Sequence, residues 1–145
     1  MYRASKEFLD NIKTGDTVSV VVPSMSPRRE DEVVSVVVKR GRKLLTVVVS
    51  KRVIDSIVTE GPASLIGRQF SLETGLDTTQ TNYRPFIVES EDAYRSEVDR
   101  CRRQQRVVHA LGSLMHQAMT IEEIVQLEAI EAAIIERNSS VSIEE

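Results

Sequence analysis

Three short segments of this chain repeat one pattern: Val18-Ser19-Val20-Val21-Val22, Val34-Ser35-Val36-Val37-Val38 and Leu45-Thr46-Val47-Val48-Val49. Each sets a hydroxyl residue second in an otherwise aliphatic run. Two heavy atoms on Cβ crowd a helical turn but sit well on a pleated surface, so valine at this density predicts strands. With a period of two, Val18, Val20 and Val22 point one way, as do Val34, Val36 and Val38, and Leu45, Val47 and Val49. Those residues are the predicted interior. The alternate positions leave an outer row of Val21, Val37 and Val48. Burying one valine is worth roughly 1.5–3 kcal/mol, so a cover is expected, from the C-terminal helices or from another chain.

Around these strands the chain divides by its punctuation. Residues 1–13 hold a short helix in which Phe8, Leu9 and Ile12 share a face, and Gly15-Asp16 ends it. The first two strands are joined by the polar, proline-bounded loop 23–31. Between the second and third lies Lys39-Arg40-Gly41-Arg42-Lys43, where Gly41 suits the positive φ of a tight hairpin. Weaker strand candidates follow at 52–58, 68–72 and 84–88, with the polar stretch 73–82 as a separator. Many short strands joined by turns over residues 14–90 predict a small antiparallel barrel.

After Pro85 the period changes. Ser90 caps a helix whose first turn holds Glu91 and Asp92, as the positive N-terminal dipole favours. Tyr94, Val98, Cys101, Val108, Leu111, Met115 and Ala118 recur at three-four spacing, which predicts a helix over 91–118 with a heptad-like seam. Thr120-Ile121-Glu122-Glu123 is a capping box, and Ile124, Leu127, Ile130 and Ile134 form the seam of a second helix over 121–137. Together they predict a helical hairpin, with residues 138–145 as a frayed tail. The fold class expected is thus α+β: a small antiparallel β-barrel followed by a C-terminal α-helical hairpin.

Charge is distributed unevenly. The net charge of −3 divides into +2 over residues 1–90 and −5 over 91–145. Lys39, Arg40, Arg42, Lys43, Lys51 and Arg52 are six cations with no acid between positions 39 and 52. They have two readings: phosphate-holding groups for nucleic acid or a nucleotide, or the polar tip of a hairpin that guards an edge strand. The pattern favours the second. No apolar stretch reaches the ~20 residues of a membrane span, the polar start does not read as a signal peptide, and no membrane role is expected. A single cysteine, Cys101, points to a reducing, cytoplasmic setting without disulfides.

Little in the chain has the pattern of a catalytic or metal site. His109 and His116 lie two helical turns apart, ~10.5 Å of rise, too far to share an ion within one chain. Cys101 falls in the helical seam, where a free thiol acts as a small hydrophobe. The single, scattered glycines form no phosphate loop, and Glu30-Asp31-Glu32 reads as a solvated run. The expectation is no enzyme, no cofactor and no metal.

Gly15-Asp16-Thr17-Val18-Ser19-Val20, followed by a basic glycine-centred hairpin, resembles the start of an SH3-like barrel of the KOW sort. Over most of residues 14–135 the chain is similar to small actinobacteriophage accessory proteins with a β-barrel domain. The similar features are Gly15-Asp16-x-Val18, Arg40-Gly41-Arg42-Lys43-Leu44, an acidic helix start running into an Arg-rich helix, and Met119-Thr120-Ile121-Glu122-Glu123-Ile124. The resemblance implies a phage protein in a bacterial host cytoplasm and assigns it no chemistry. The functional expectation is an interaction protein that binds and alters a host protein. Its surface would be Val21, Val37, Val48, Val98, Leu111, Met115, Ile124, Leu127 and Ile134, and apolar residues on more than one helix face predict a homo-oligomer. The alternative is binding of an anionic ligand, nucleic acid or a defence signalling nucleotide, at the basic hairpin.

Overall fold

The computed structural model describes residues 2–114 and 117–141, which form two units, residues up to Arg100 and residues from Cys101 onward. Met115, His116 and the end of the tail, residues 142–145, lie outside the described residues. A short helix α1 (Lys6–Asn11) opens the first unit, with Ser5 accepting from the Phe8 amide as its N-cap. Leu9 and Ile12 are buried and Phe8 packs beside them.

Six strands follow: β1 (Thr17–Val22), β2 (Glu32–Arg40), β3 (Leu44–Ile54), β4 (Ile57–Glu60), β5 (Gln69–Ser71) and β6 (Phe86–Val88). All pairings are antiparallel. The sheet runs in the order β4-β3-β2-β1-β6, while β5 pairs with the first residues of β3. Isolated bridges Phe70–Asp77 and Leu76–Phe86 lie between β5 and β6, and the sheet does not close. It is an open sheet where the valine pattern predicted a barrel. Alternation sets which face of each strand is buried. It does not set whether the end strands meet.

The alternation holds in β1 and β2, where Val18, Val20, Val34, Val36 and Val38 are buried. In β3 it breaks. Val37 faces Val49 but Val38 faces Val47, so Val48 is an extra residue, a β-bulge. Beyond it the phase inverts. Val49, predicted inside, is exposed, and Ser50 turns inward opposite Val36. The hairpin at Gly41 also differs from expectation: the glycines with positive φ are 15, 67 and 75, and Gly41 is not among them. The candidate strand over 52–58 is split by a two-residue turn, Asp55-Ser56, whose φ values of 49° and 67° fit a type I′ hairpin.

Two apolar layers result. Inside lie Leu9, Val20, Val36, Leu45, Phe70 and Ile87 with their neighbours. On the opposite face Val21, Phe86, Val88 and Tyr94 form a second cluster, with Val33 and Val98 packed against it. Thus Val21 is covered within the unit, by the start of α2 (Glu91–Leu114). Tyr94 fixes that helix start: its ring meets Phe86 edge-on at 5.9 Å, and its hydroxyl donates to Asp31 Oδ2 at 2.6 Å.

The second unit holds the end of α2 and the whole of α3 (Ile121–Val141). The predicted caps are in place. Ser90 Oγ accepts from the Ala93 amide, Thr120 Oγ1 accepts from the Glu123 amide, and Glu123 Oε2 accepts from the Thr120 amide. From Cys101 onward no described residue is buried; Leu111, Leu114 and Leu127 alone are half-covered.

Candidate functional site

The six cations of the basic hairpin do not act alike. Arg40 Nη1 donates to the Leu9 and Ile12 carbonyls at 2.9 and 2.7 Å, which satisfies the C-terminal end of α1. Arg52 is paired with Glu32, its Nε 2.6 Å from Oε1. Lys39, Arg42, Lys43 and Lys51 are exposed. Lys39 stands opposite Thr46, and Lys51 stands opposite Ser35 and Glu60. Two of the six therefore belong to the scaffold, and the rest are spread along the β2–β3 hairpin.

The acidic run divides in the same way. Asp31 accepts from the Ser24 amide as well as from Tyr94, and Glu32 holds Arg52. These contacts tie the 23–31 loop to the sheet and to α2.

A third polar cluster escaped the sequence reading. Asp77 is fully buried, at 0% exposure. Its Oδ2 accepts from Arg68 Nη1 at 2.6 Å, and its Oδ1 accepts from the Thr79 amide and hydroxyl, each at 2.7 Å. Arg84 donates to its carbonyl, and Arg68 also reaches Gln80. Burial pushes the carboxyl up, but the hydrogen bonds from Thr79 and Arg68 and the Arg68 charge outweigh it, so the net shift is downward. Asp77 is a clamp on the 73–85 loop. Its sequence signal was the Asp-Thr-Thr turn inside a stretch read as a separator.

Beside the clamp, Arg3, Pro23, Leu76, Thr81, Tyr83 and Arg84 line an open recess of about 530 Å³. Cys101, Gln104, Gln105, Val108 and His109 line another, of about 430 Å³, along one face of α2. Cys101 and His109 are exposed, and no three His, Cys, Asp or Glu converge to hold a metal among the described residues. Nor is any described helix long and apolar enough to cross a membrane.

The largest anomaly is apolar. The β3–β4 ribbon exposes Val53, Ile54, Ile57 and Val58, more than half of each in solvent. On the helices Val107, Val108, Ile121, Ile124, Val125, Ile130, Ile134 and Ile135 are exposed, Ile121 at 80%. Of the residues expected to form an interface, Val21 is buried, Val37, Val98, Leu111 and Leu127 are half-buried, and Val48, Ile124 and Ile134 are exposed. Val21, Val37, Val48 and Val98 belong to the first unit, and Leu111, Ile124, Leu127 and Ile134 to the second. No protein-family model, curated protein or solved structure matches the chain.

Proposed function

We propose that this chain is a non-catalytic interaction protein whose β unit carries a pair of docking helices. The observation behind this reading is the uncovered aliphatic surface of the described residues in 101–114 and 117–140. Contiguous apolar surface of this kind marks a binding face far more often than a solvated one. The exposed ribbon at Val53–Val58 adds a second apolar element of the same character. The resemblance to actinobacteriophage β-barrel proteins supplies the setting: an SH3-like module in a bacterial host cytoplasm, with a host protein as the target to be modulated.

The anionic-ligand alternative is weaker, because Arg40 and Arg52 are occupied by structural partners. The test that separates the two is affinity capture from host lysate, with and without nuclease. The full chain is compared with an Ile124→Asp, Ile134→Asp variant and with Lys39, Arg42, Lys43 and Lys51 changed to Ala. A protein retained under nuclease and lost with the two isoleucines supports docking through the helices. Nuclease-sensitive recovery lost with the four cations supports the alternative.

A further inference from the structure

The uncovered helices carry information about what covers them. At 3.6 residues per turn, Leu127, Ile130 and Ile134 of α3 lie on one side, while Ile121, Ile124, Val125 and Ile135 extend round to the other. The aliphatic arc exceeds half the circumference, and a single neighbouring helix covers only one stripe of such an arc. Ala132 lies within the arc, Ala129 and Ala133 follow it beyond Val125, and all three permit close approach.

Charge narrows the choice of neighbour. Residues 100–114 of α2 hold Arg100, Arg102, Arg103 and Arg106 with no acid. Residues 121–141 hold Glu122, Glu123, Glu128, Glu131 and Glu136 against Arg137 alone. Glu128 and Glu131 lie inside the apolar arc, and among the described residues neither makes an ion pair within the chain; nor do Arg103 and Arg106. A two-fold interface requires one surface to be its own complement. A chain whose α2 is basic over 100–114 and whose α3 is acidic meets that condition.

We infer that the helices pair with those of a second copy, α2 of each chain against α3 of the other, as a four-helix assembly in which neighbouring helices have opposite charge. The inference rests on the docking reading and names its occupant. Leu111, Leu127 and Ile134 form the shared core, and Arg103 and Arg106 meet the acids of the partner's α3.

Sedimentation velocity of the full chain over a micromolar concentration series tests it, with two charge-reversal variants. Arg103→Glu with Arg106→Glu sets acids of α2 against the acids of the partner's α3; Glu128→Lys with Glu131→Lys sets cations of α3 against the cations of the partner's α2. The wild type is expected at twice the chain mass. Each variant alone is expected to dimerise at least tenfold more weakly, with unchanged far-ultraviolet circular dichroism. An equimolar mixture is expected to recover the dimer, because positions 103 and 106 of each chain then face charges of opposite sign at 128 and 131 of the other. A monomeric wild type overturns the inference, as does a higher oligomer, dimerisation by either variant at wild-type strength, or failure of the mixture to recover. A monomer that still captures a protein through Ile124 and Ile134 overturns self-pairing and leaves the docking reading intact; a monomer indifferent to those substitutions removes both.

Discussion

The β unit and the C-terminal helices are made from the same aliphatic side chains, and they differ in where the cover for those side chains comes from. In the first, β1 is lined on both faces, with Val20 in one apolar layer and Val21 in the other. In the second, α3 has caps, propensity and pattern, yet none of its isoleucines is buried. Capping contributes about 1 kcal/mol, whereas helix stability in proteins comes mostly from burying an apolar face. The contrast teaches that an element can be fully specified locally and still depend on another surface for its stability. Substitutions in the two regions should therefore differ in size and in their dependence on protein concentration.

The largest expected effect tests this directly. Phe70 is wholly buried, so Phe70→Ala should cost about 3–5 kcal/mol in urea unfolding, whatever the protein concentration. Ile124→Ala in dilute protein should stay within about 0.5 kcal/mol, and its cost should grow as the concentration rises. An Ile124→Ala variant as damaged as Phe70→Ala in dilute solution would erase the distinction.

Next comes the buried carboxylate. Asp77→Asn should cost about 2–3 kcal/mol, since Arg68 and Thr79 lose a charged acceptor. The pH dependence has a definite sign. Because the folded carboxyl is held below its ordinary value, the stabilisation is present above the unfolded chain's titration, near pH 4, and is lost as pH falls through the lower folded value. Asp77→Asn should therefore flatten the acid limb of a stability profile measured between about pH 2 and pH 6. A parallel profile would show that Asp77 is not the group responsible.

What the sequence made legible follows the same division. Period-two valines located β1, β2 and the start of β3, and the Thr120–Glu123 box located the start of α3, because these are local signals of backbone geometry. The bulge at Val48, the open edge of the sheet and the Asp77–Arg68 pair were not legible. Each depends on which segments meet across the fold, and no spacing along the chain encodes that. The candidate surface was legible as aliphatic positions on more than one face of α3. That Val21 would be covered by Tyr94 was not.

A smaller effect probes where the two regions join along α2. Tyr94 lies in the first unit, and its hydroxyl bond to Asp31 links the helix start to the loop before β2. Tyr94→Phe keeps the ring against Phe86 and removes that bond, so it should cost about 1.5–2 kcal/mol. Hydrogen exchange should then quicken at residues 91–98 and stay unchanged over 121–141. Equal quickening in both would mean that the helices belong to one cooperative unit.

The smallest effect comes from a buried side-chain oxygen of the β unit, that of Ser50. The bulge turns Ser50 inward, where its Oγ is buried with no hydrogen-bond partner. The Gly61 amide donates to the Ser50 carbonyl at 3.0 Å, and a Cβ on Gly61 would collide with that hydroxyl. Gly61 is thus required by close approach to β3, while the hydroxyl it crowds contributes nothing by hydrogen bonding. Ser50→Ala removes an unsatisfied donor and leaves the strand register untouched. It should leave stability within about 0.5 kcal/mol or raise it, in a urea melt at any protein concentration. A loss above 1 kcal/mol would mean that the hydroxyl has a partner, and the inverted phase of β3 beyond Val48 would need a polar reason in place of a steric one.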